Sequence, residues 1–237
     1  MSKQKPIIIE FAGLYGSGKT VTGQALTKEL REQGYIVRSV HDFYEFRDGL
    51  SKLSRWLRYT QRLSVWKFFF PAFLSYVRGS MNFRSGDYDL RQTLGPLKDA
   101  SDREYFLKKE CQDADFVVFD EGSINDCVNL AWRFGVPKKI MLKQITSISY
   151  LKNAEIMLFP SDIDVTFERI NKRNGETFID YEKKGERLKI LQTVFPYYEA
   201  AYEFVFEKFV NVTAMDLSQA VEERVRMVKQ LVVNKDS

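Results

Sequence analysis

The sequence predicts an α/β fold, because short apolar runs that are typical of buried strands alternate with amphipathic helical patterns. Three runs carry this prediction: residues 7–9, Phe116–Phe119 and Glu155–Phe159. Each is followed by a polar or glycine-containing segment and then by a helical pattern. The chain has 237 residues, of which 44% are hydrophobic, which is enough for one domain with a sizeable core.

The other elements complete the alternation. Helices are predicted over about 19–33, about 122–135, 163–174, 185–208 and 218–233. Gly34 is a natural stop for the first of them. Strands are predicted over 35–40 and 209–213. A long helical region over about 50–111 exceeds what the alternation needs. We therefore expect a single domain, 1–237, with a helical acceptor-side region at about 50–111 and a lid at about 169–186.

The residues after the first strand form a sequence motif, Gly13-Leu14-Tyr15-Gly16-Ser17-Gly18-Lys19-Thr20, which fits G-x-x-x-x-G-K-[ST]. Its glycines allow the backbone to curl and turn its N–H groups inward, and the helix that follows presents its positive end. Strand, glycine loop and helix together predict a phosphate-binding loop. Lys19 is expected to reach the β- and γ-phosphates. Thr20 is expected to ligate Mg²⁺. The predicted nucleotide contacts are Gly13, Tyr15, Gly16, Ser17, Gly18, Lys19, Thr20 and Val21.

Two further strand ends carry acidic residues. Phe116–Phe119 is followed by Asp120 and Glu121, so Asp120 is predicted to hold Mg²⁺ through its water shell and Glu121 to orient water or substrate. The strand over 35–40 is followed by Asp42, which is a candidate base for an acceptor hydroxyl. The alternative for both Asp42 and Asp120 is a helix or turn cap, since aspartate caps well.

Two basic groups complete the predicted site. Arg169 and Arg173 are four residues apart on one helix and could stabilise charge in the transition state, ahead of a polar segment that resembles a mobile lid. Arg55, Arg58 and Arg62 share another helical face. That face is either solvated or binds something anionic, namely a small-molecule acceptor, a nucleic acid or a membrane surface.

The overall composition adds broad limits. The net charge is +4, which does not by itself require a nucleic-acid partner, and the two cysteines, Cys111 and Cys127, lack metal-binding spacing. This cysteine usage, together with a short polar N-terminus, predicts a cytoplasmic protein.

Taken together, these motifs resemble the P-loop nucleoside and nucleotide kinases, and most of all the thymidylate kinase-like group. The likeness covers most of the chain outside about 50–111. The resemblance implies a three-layer fold with a parallel five-stranded sheet of order 2-3-1-4-5. It assigns the family's R-x-x-x-R pair to Arg169 and Arg173, and places the adenine near Ala214 and Met215. The stretch from Asp42 to Tyr44 is similar to the D-x-F-Y of uridine kinase-like enzymes.

The sequence departs from thymidylate kinases on the acceptor side. Asp120-Glu121-Gly122 stands where they have Asp-Arg-Tyr, and their acidic-proline-glycine stretch after the second strand is absent. Tyr44, Arg55, Arg58 and Glu121 are the expected acceptor contacts.

The predicted function is transfer of the γ-phosphoryl group of ATP, with Mg²⁺, to a nucleoside- or nucleotide-like acceptor. The alternatives are a kinase of another hydroxyl (a phosphosugar, a lipid-linked molecule or a nucleic-acid end) and a nucleotide-dependent regulatory ATPase. Assembly as a homodimer is left open by the sequence.

Overall fold

A computed structural model of the chain describes residues 5–51, 95–133, 135–172 and 184–233. The five strands are β1 (Ile7–Gly13), β2 (Val37–Ser39), β3 (Phe116–Phe119), β4 (Glu155–Phe159) and β5 (Val212–Ala214). The helices described are α1 (Lys19–Glu32), α2 (Val40–Gly49), α3 (Gly95–Lys109), α4 (Ser123–Arg133), α5 (Lys138–Ser147), α6 (Ile163–Lys172), α7 (Lys184–Lys208) and α8 (Val221–Val233), with a 3₁₀ helix at Ser149–Asn153.

The strands form one parallel sheet in the order β2-β3-β1-β4-β5, which confirms the predicted fold. Ile9 of β1 lies between Val118 of β3 and Glu155 of β4, so β1 is central. A parallel sheet needs a crossover after each strand and is buried on both faces. The carboxyl ends of β1, β2 and β3 therefore lie along the same edge, where a ligand is expected in such folds.

Alternate side chains of the strands pack into two separate cores. Ile9 and Phe11 of β1 point toward α1 and α8, where Leu26 and Val228 are fully buried. The other core contains Ala12 of β1 together with side chains from β3, β4, α3, α4, α5 and α7. The molecule is thus helix, sheet and helix in three layers, as predicted.

Several boundaries differ from the sequence predictions. β5 spans Val212–Ala214 and not 209–213, because the Phe209 amide still donates to the Val205 carbonyl in a helical bond of 3.0 Å. The predicted strand over 35–40 ends at Ser39, and α2 begins at once. α5 and the 3₁₀ helix were not predicted, although Met141 and Ile145 have helical spacing and both are buried.

Some predictions concern residues outside those described. These are Arg55, Arg58, Arg62, Arg173 and most of the helical region over 50–111 and of the lid over 169–186. No helix among the described residues is both long and apolar enough to cross a membrane.

Candidate active site

The predicted phosphate-binding loop connects β1 to α1 as the motif requires. Gly16 and Gly18 have positive φ angles of 78° and 94°, a region that side chains disfavour. A Cβ on Gly13 would lie 2.7 Å from the Cβ of Phe159 on the adjacent strand, so only glycine fits there. The Gly13 amide donates to the Asn125 side chain at 3.0 Å, which ties the end of β1 to α4. Sequence reasoning missed Asn125.

Lys19 lies inside the curl of this loop and is 6% exposed. Its Nζ donates to the carbonyls of Gly13, at 2.7 Å, and Leu14, at 2.9 Å, and lies 3.4 Å from the hydroxyl of Ser17. The ammonium is therefore held at the positive end of α1, where two sources of positive potential add. This is the arrangement that favours a polyphosphate.

Thr20 and Val21 begin the exposed side of α1, and Val21 is 57% exposed. Asp120, at the end of β3, lies opposite them and packs closely on the same helix. A Cβ on Gly23 would be only 2.6 Å from the Asp120 Cβ. Glycine at position 23 thus lets the β3 carboxylate approach the start of α1.

Asp120 has the surroundings of a cation ligand. Burial and the neighbouring Glu121 raise its pKa to about 6, opposed by the charge of Lys19 and a hydrogen bond from the Thr20 hydroxyl. Its Oδ1 is buried and has no hydrogen-bond partner among the described residues. Oxygen ligands from Asp120 and Thr20 fit Mg²⁺, which usually keeps several waters and substrate phosphates. The described part of the chain contains no cluster of three or more His, Cys, Asp or Glu side chains that would form a closed metal site.

Glu121 follows Asp120 and is exposed. Its negative charge acts on Asp120, on Tyr15 of the loop and on Tyr44 of α2, where it raises the pKa in each case. The carboxylate is therefore within electrostatic range of both the phosphate-binding loop and α2. That position suits contact with an acceptor next to the phosphates.

Asp42, the candidate base, makes the contacts of a residue that caps the start of α2. Its Oδ2 accepts from the Ser39 amide at 2.6 Å, from the Ser39 hydroxyl at 2.7 Å and from Arg31 at 3.0 Å. Partial burial alone would raise the pKa of Asp42, but these hydrogen bonds and the charge of Arg31 hold it below its usual value. The contacts correspond to the helix-cap alternative.

The elements proposed for the adenine side also meet. Nη2 of Arg169, on α6, donates to the Leu217 carbonyl in the loop after β5 at 3.5 Å. Ala214 ends β5 and is exposed, whereas Met215 is buried and its amide donates to the Leu158 carbonyl at 2.8 Å. Arg169 and the two predicted adenine-side residues thus belong to one corner of the molecule.

A buried polar network supports the segment after β3, and sequence reasoning missed it. Glu10 on β1 accepts from the Ile124 amide at 3.0 Å and from the Tyr150 hydroxyl at 2.9 Å. Burial raises the pKa of Glu10 to about 7, although the charge of Arg103 lowers it. Arg103, also buried, donates to the Glu121 carbonyl at 2.7 Å. These contacts fix the backbone from which Glu121 projects.

No model of a known protein family matches the chain, and no curated protein sequence matches it. Among solved structures, the chain is similar to deoxyadenosine kinase from M. mycoides with products dCMP and a flexible dCDP bound, with a TM-score of 0.54 and 13% identity over 98% of this chain and 100% of that one. A structure of the same kinase with bound dCTP gives a TM-score of 0.51 and 13% identity over 96% and 100%.

These likenesses establish the class of fold. The chain has the P-loop kinase fold of these deoxyadenosine kinases, with the same five-stranded architecture. At 13% identity they carry no assignment of substrate, and the resemblance to thymidylate kinases in particular stays a prediction.

Proposed function

We propose that the protein is an ATP- and Mg²⁺-dependent kinase that phosphorylates a hydroxyl group of a nucleoside. The observation that carries this proposal is the meeting of three groups at one sheet edge: the loop that encloses Lys19, the buried carboxylate of Asp120 and the exposed carboxylate of Glu121. The structural likeness to deoxyadenosine kinases supports a nucleoside acceptor.

Each group has a role in this reaction. ATP supplies the phosphoryl group. Thr20 and Asp120 would hold Mg²⁺, which would supply positive charge to offset that of the phosphate oxygens. Lys19 and the loop amides bind the phosphates. Glu121 accepts the proton of the acceptor hydroxyl, whose oxygen forms the new bond to phosphorus as ADP leaves. Most of the catalysis in this class of reaction comes from positioning and charge stabilisation.

Three arginines among the described residues of the acceptor side favour a neutral nucleoside over a nucleotide. Arg47 contacts Asp48 and Asp99, at 3.1 and 3.2 Å. Arg103 is paired with Asp126, and Arg133 hydrogen-bonds the Tyr15 side chain. These three guanidiniums already have protein partners, so binding an acceptor phosphate through them would require breaking those contacts. A nucleotide acceptor, as in thymidylate kinases, is therefore the less favoured alternative.

ADP release in the presence of single nucleosides, nucleotides and phosphosugars tests the proposal. We expect one or more nucleosides to stimulate release and a chelator of Mg²⁺ to abolish it. Lys19→Ala should lower turnover by roughly 10²–10³-fold or more, because it removes a charge that stabilises the transition state. Lys28→Ala, on the exposed side of the same helix, is the matched control and should keep full activity.

Circular dichroism and thermal melting should show that Lys19→Ala is folded before its turnover is compared. Equal turnover in a folded Lys19→Ala variant would contradict the kinase assignment. Stimulation by phosphosugars or nucleotides alone would leave the kinase class standing and overturn the nucleoside acceptor.

A further inference from the structure

Arg224 is a buried cation on the last helix, α8. It lies on the side of that helix that packs on the sheet, next to Val225 and one turn before Val228, and is 7% exposed. Its guanidinium reaches the phosphate-binding loop, because a Cβ on Gly18 would be 3.0 Å from Nη1 of Arg224. A charged residue on an apolar helical stripe is the sequence signal that could have drawn attention to it.

Two of the three guanidinium nitrogens of Arg224 lack a hydrogen-bond acceptor within the described ranges. Nε and Nη1 of Arg224 are buried and have no hydrogen-bond partner among the described residues. Burial first, and then the charge of Arg169, hold the pKa of Arg224 below its usual value, with Glu222 opposing them. Buried charges in proteins are nearly always paired, since a buried donor without an acceptor costs free energy. The arrangement is therefore unfavourable without an added acceptor.

The surrounding charges show which kind of acceptor fits. Gly18 immediately precedes α1, so the positive end of that helix lies beside the guanidinium. Lys19 is the next residue, and Arg169 is close enough to affect the pKa of Arg224. Two cationic side chains, Arg224 and Arg169, and a helix N-terminus therefore meet beside Gly18, while the ammonium of Lys19 lies inside the same loop. An anion is the ligand that such a group binds.

We propose that Arg224 is a nucleotide-binding residue whose Nη1 donates to a phosphate oxygen of the bound triphosphate. This inference rests on the proposed function, because it takes the anion at this loop to be a nucleoside triphosphate. Arg224 would then supply, from the end of the chain, a third cation in addition to Lys19 and Arg169. The free energy that burying the Arg224 guanidinium costs in the ligand-free protein would be offset when the phosphate is bound.

The test compares Arg224→Gln and Arg224→Lys with Arg226→Gln, an exposed arginine on the same helix that serves as the matched control. Calorimetry measures binding of Mg·ATP, inorganic tripolyphosphate and adenosine to each protein. We expect Arg224→Gln to weaken ATP and tripolyphosphate binding by roughly 10- to 100-fold, because a hydrogen bond to a charged group is lost. Arg224→Lys should weaken ATP and tripolyphosphate binding less than Arg224→Gln does, because it keeps the positive charge. Adenosine binding should not change, nor should any property of Arg226→Gln.

Thermal melting of the ligand-free proteins separates this role from a structural one. Removing a buried cation without a partner should leave the melting temperature unchanged or raise it, while the shift produced by ATP becomes smaller. A lower melting temperature together with unchanged ATP affinity would make Arg224 a structural residue and overturn the proposal. Loss of adenosine binding with tripolyphosphate unaffected would assign Arg224 to the base and also overturn it.

The outcomes distinguish this inference from the proposed function. If the wild-type protein binds ATP and Arg224→Gln binds it equally well, only the role of Arg224 fails. If ATP binding falls as expected but no nucleoside stimulates ADP release, the nucleoside acceptor fails and Arg224 stays a phosphate contact. If the wild-type protein binds neither ATP nor tripolyphosphate, both are wrong.

Discussion

The ends of β2 and β3 lie side by side at the carboxyl edge of the sheet, and each is followed by acidic side chains. After β2, helix α2 begins at once with Val40, so Asp42 falls in its first turn and accepts three hydrogen bonds from Ser39 and Arg31. After β3, three residues precede α4, which begins at Ser123. Asp120 and Glu121 therefore project from a loop, next to the phosphate-binding loop.

The comparison of the two strand ends shows how the local backbone affects a carboxylate. A carboxylate is available to a ligand when the backbone amides beside it do not already donate hydrogen bonds to it. An aspartate in the first turn of a helix is already stabilised by the free amides there. Asp120 instead keeps a buried oxygen that has no hydrogen-bond partner among the described residues, and its pKa is raised to about 6. At the β2 end the Oδ2 of Asp42 already accepts three hydrogen bonds, whereas the β3 end presents two carboxylates, Asp120 and Glu121, beside the loop that holds Lys19.

The largest expected effect is on kcat, and it distinguishes Glu121→Gln from Asp42→Asn. If Glu121 is the base, Glu121→Gln should lower kcat by roughly 10²–10⁴-fold, with little change in ATP affinity. Asp42→Asn should keep activity within a few-fold, because its carboxylate contacts α1 and Ser39. Steady-state kinetics with the best nucleoside acceptor would measure both. The reverse ranking of the two variants would assign the role of base to Asp42.

The glycine loop between β1 and α1 could be predicted because its signal is local, and the sheet order because the family resemblance implied it. Gly13 to Thr20 are brought together by their own backbone, so the spacing of the motif already contains the geometry. The role of Asp42 was left open between base and cap. Which of the two contacts Asp42 makes depends on whether α2 starts at Val40 or later, and helix boundaries are the weakest part of a sequence prediction.

The partners of the buried network and of Arg224 could not be predicted, because these contacts join residues that are distant in sequence. Glu10 and Tyr150 are 140 positions apart, and the Gly13 amide and Asn125 are 112 apart. A glutamate within a strand has no local pattern that identifies its partner. In the same way, nothing near Arg224 in sequence indicates Gly18.

The second prediction asks whether the acidic group beneath the β3 end is structural. The pKa of Glu10 rises from 4.5 to about 7 on folding, so between these values the folded protein holds a proton that the unfolded chain has lost. The free energy of unfolding therefore falls by about 3 kcal/mol in total, on account of Glu10, as the pH rises through this range. Glu10→Gln cannot titrate. Its stability relative to the wild type should rise by that amount between pH 4.5 and pH 8.

Chemical denaturation at several pH values would measure this difference, with Glu45→Gln, an exposed glutamate on α2, as the control. The comparison with the wild type matters because burial also raises the pKa of Asp126 to about 7, so the raw pH profile contains more than one group. A constant difference between Glu10→Gln and the wild type across the range would show that Glu10 is ionised in the folded protein. Glu10→Gln should also retain kinase activity.

The smallest expected effect concerns Asp42 at the end of β2. It is a change in the free energy of unfolding and not in turnover. Asp42→Ala removes the acceptor of the Ser39 amide and the partner of Arg31, and should lower the free energy of unfolding by about 1 kcal/mol at pH 7. Glu45→Ala, whose contact with His41 is exposed at 3.5 Å, should change it little.

The pH dependence of this loss identifies the ionised carboxylate as its source. Because the pKa of Asp42 is lower in the folded protein than the ordinary value of 3.8, its contribution is complete above pH 4 and is lost as pH falls through the folded pKa. The difference between Asp42→Ala and the wild type should therefore shrink toward pH 3. If Asp42→Ala instead leaves stability unchanged at pH 7 and removes activity, then Asp42 acts at the substrate, and the ends of β2 and β3 both belong to the active site.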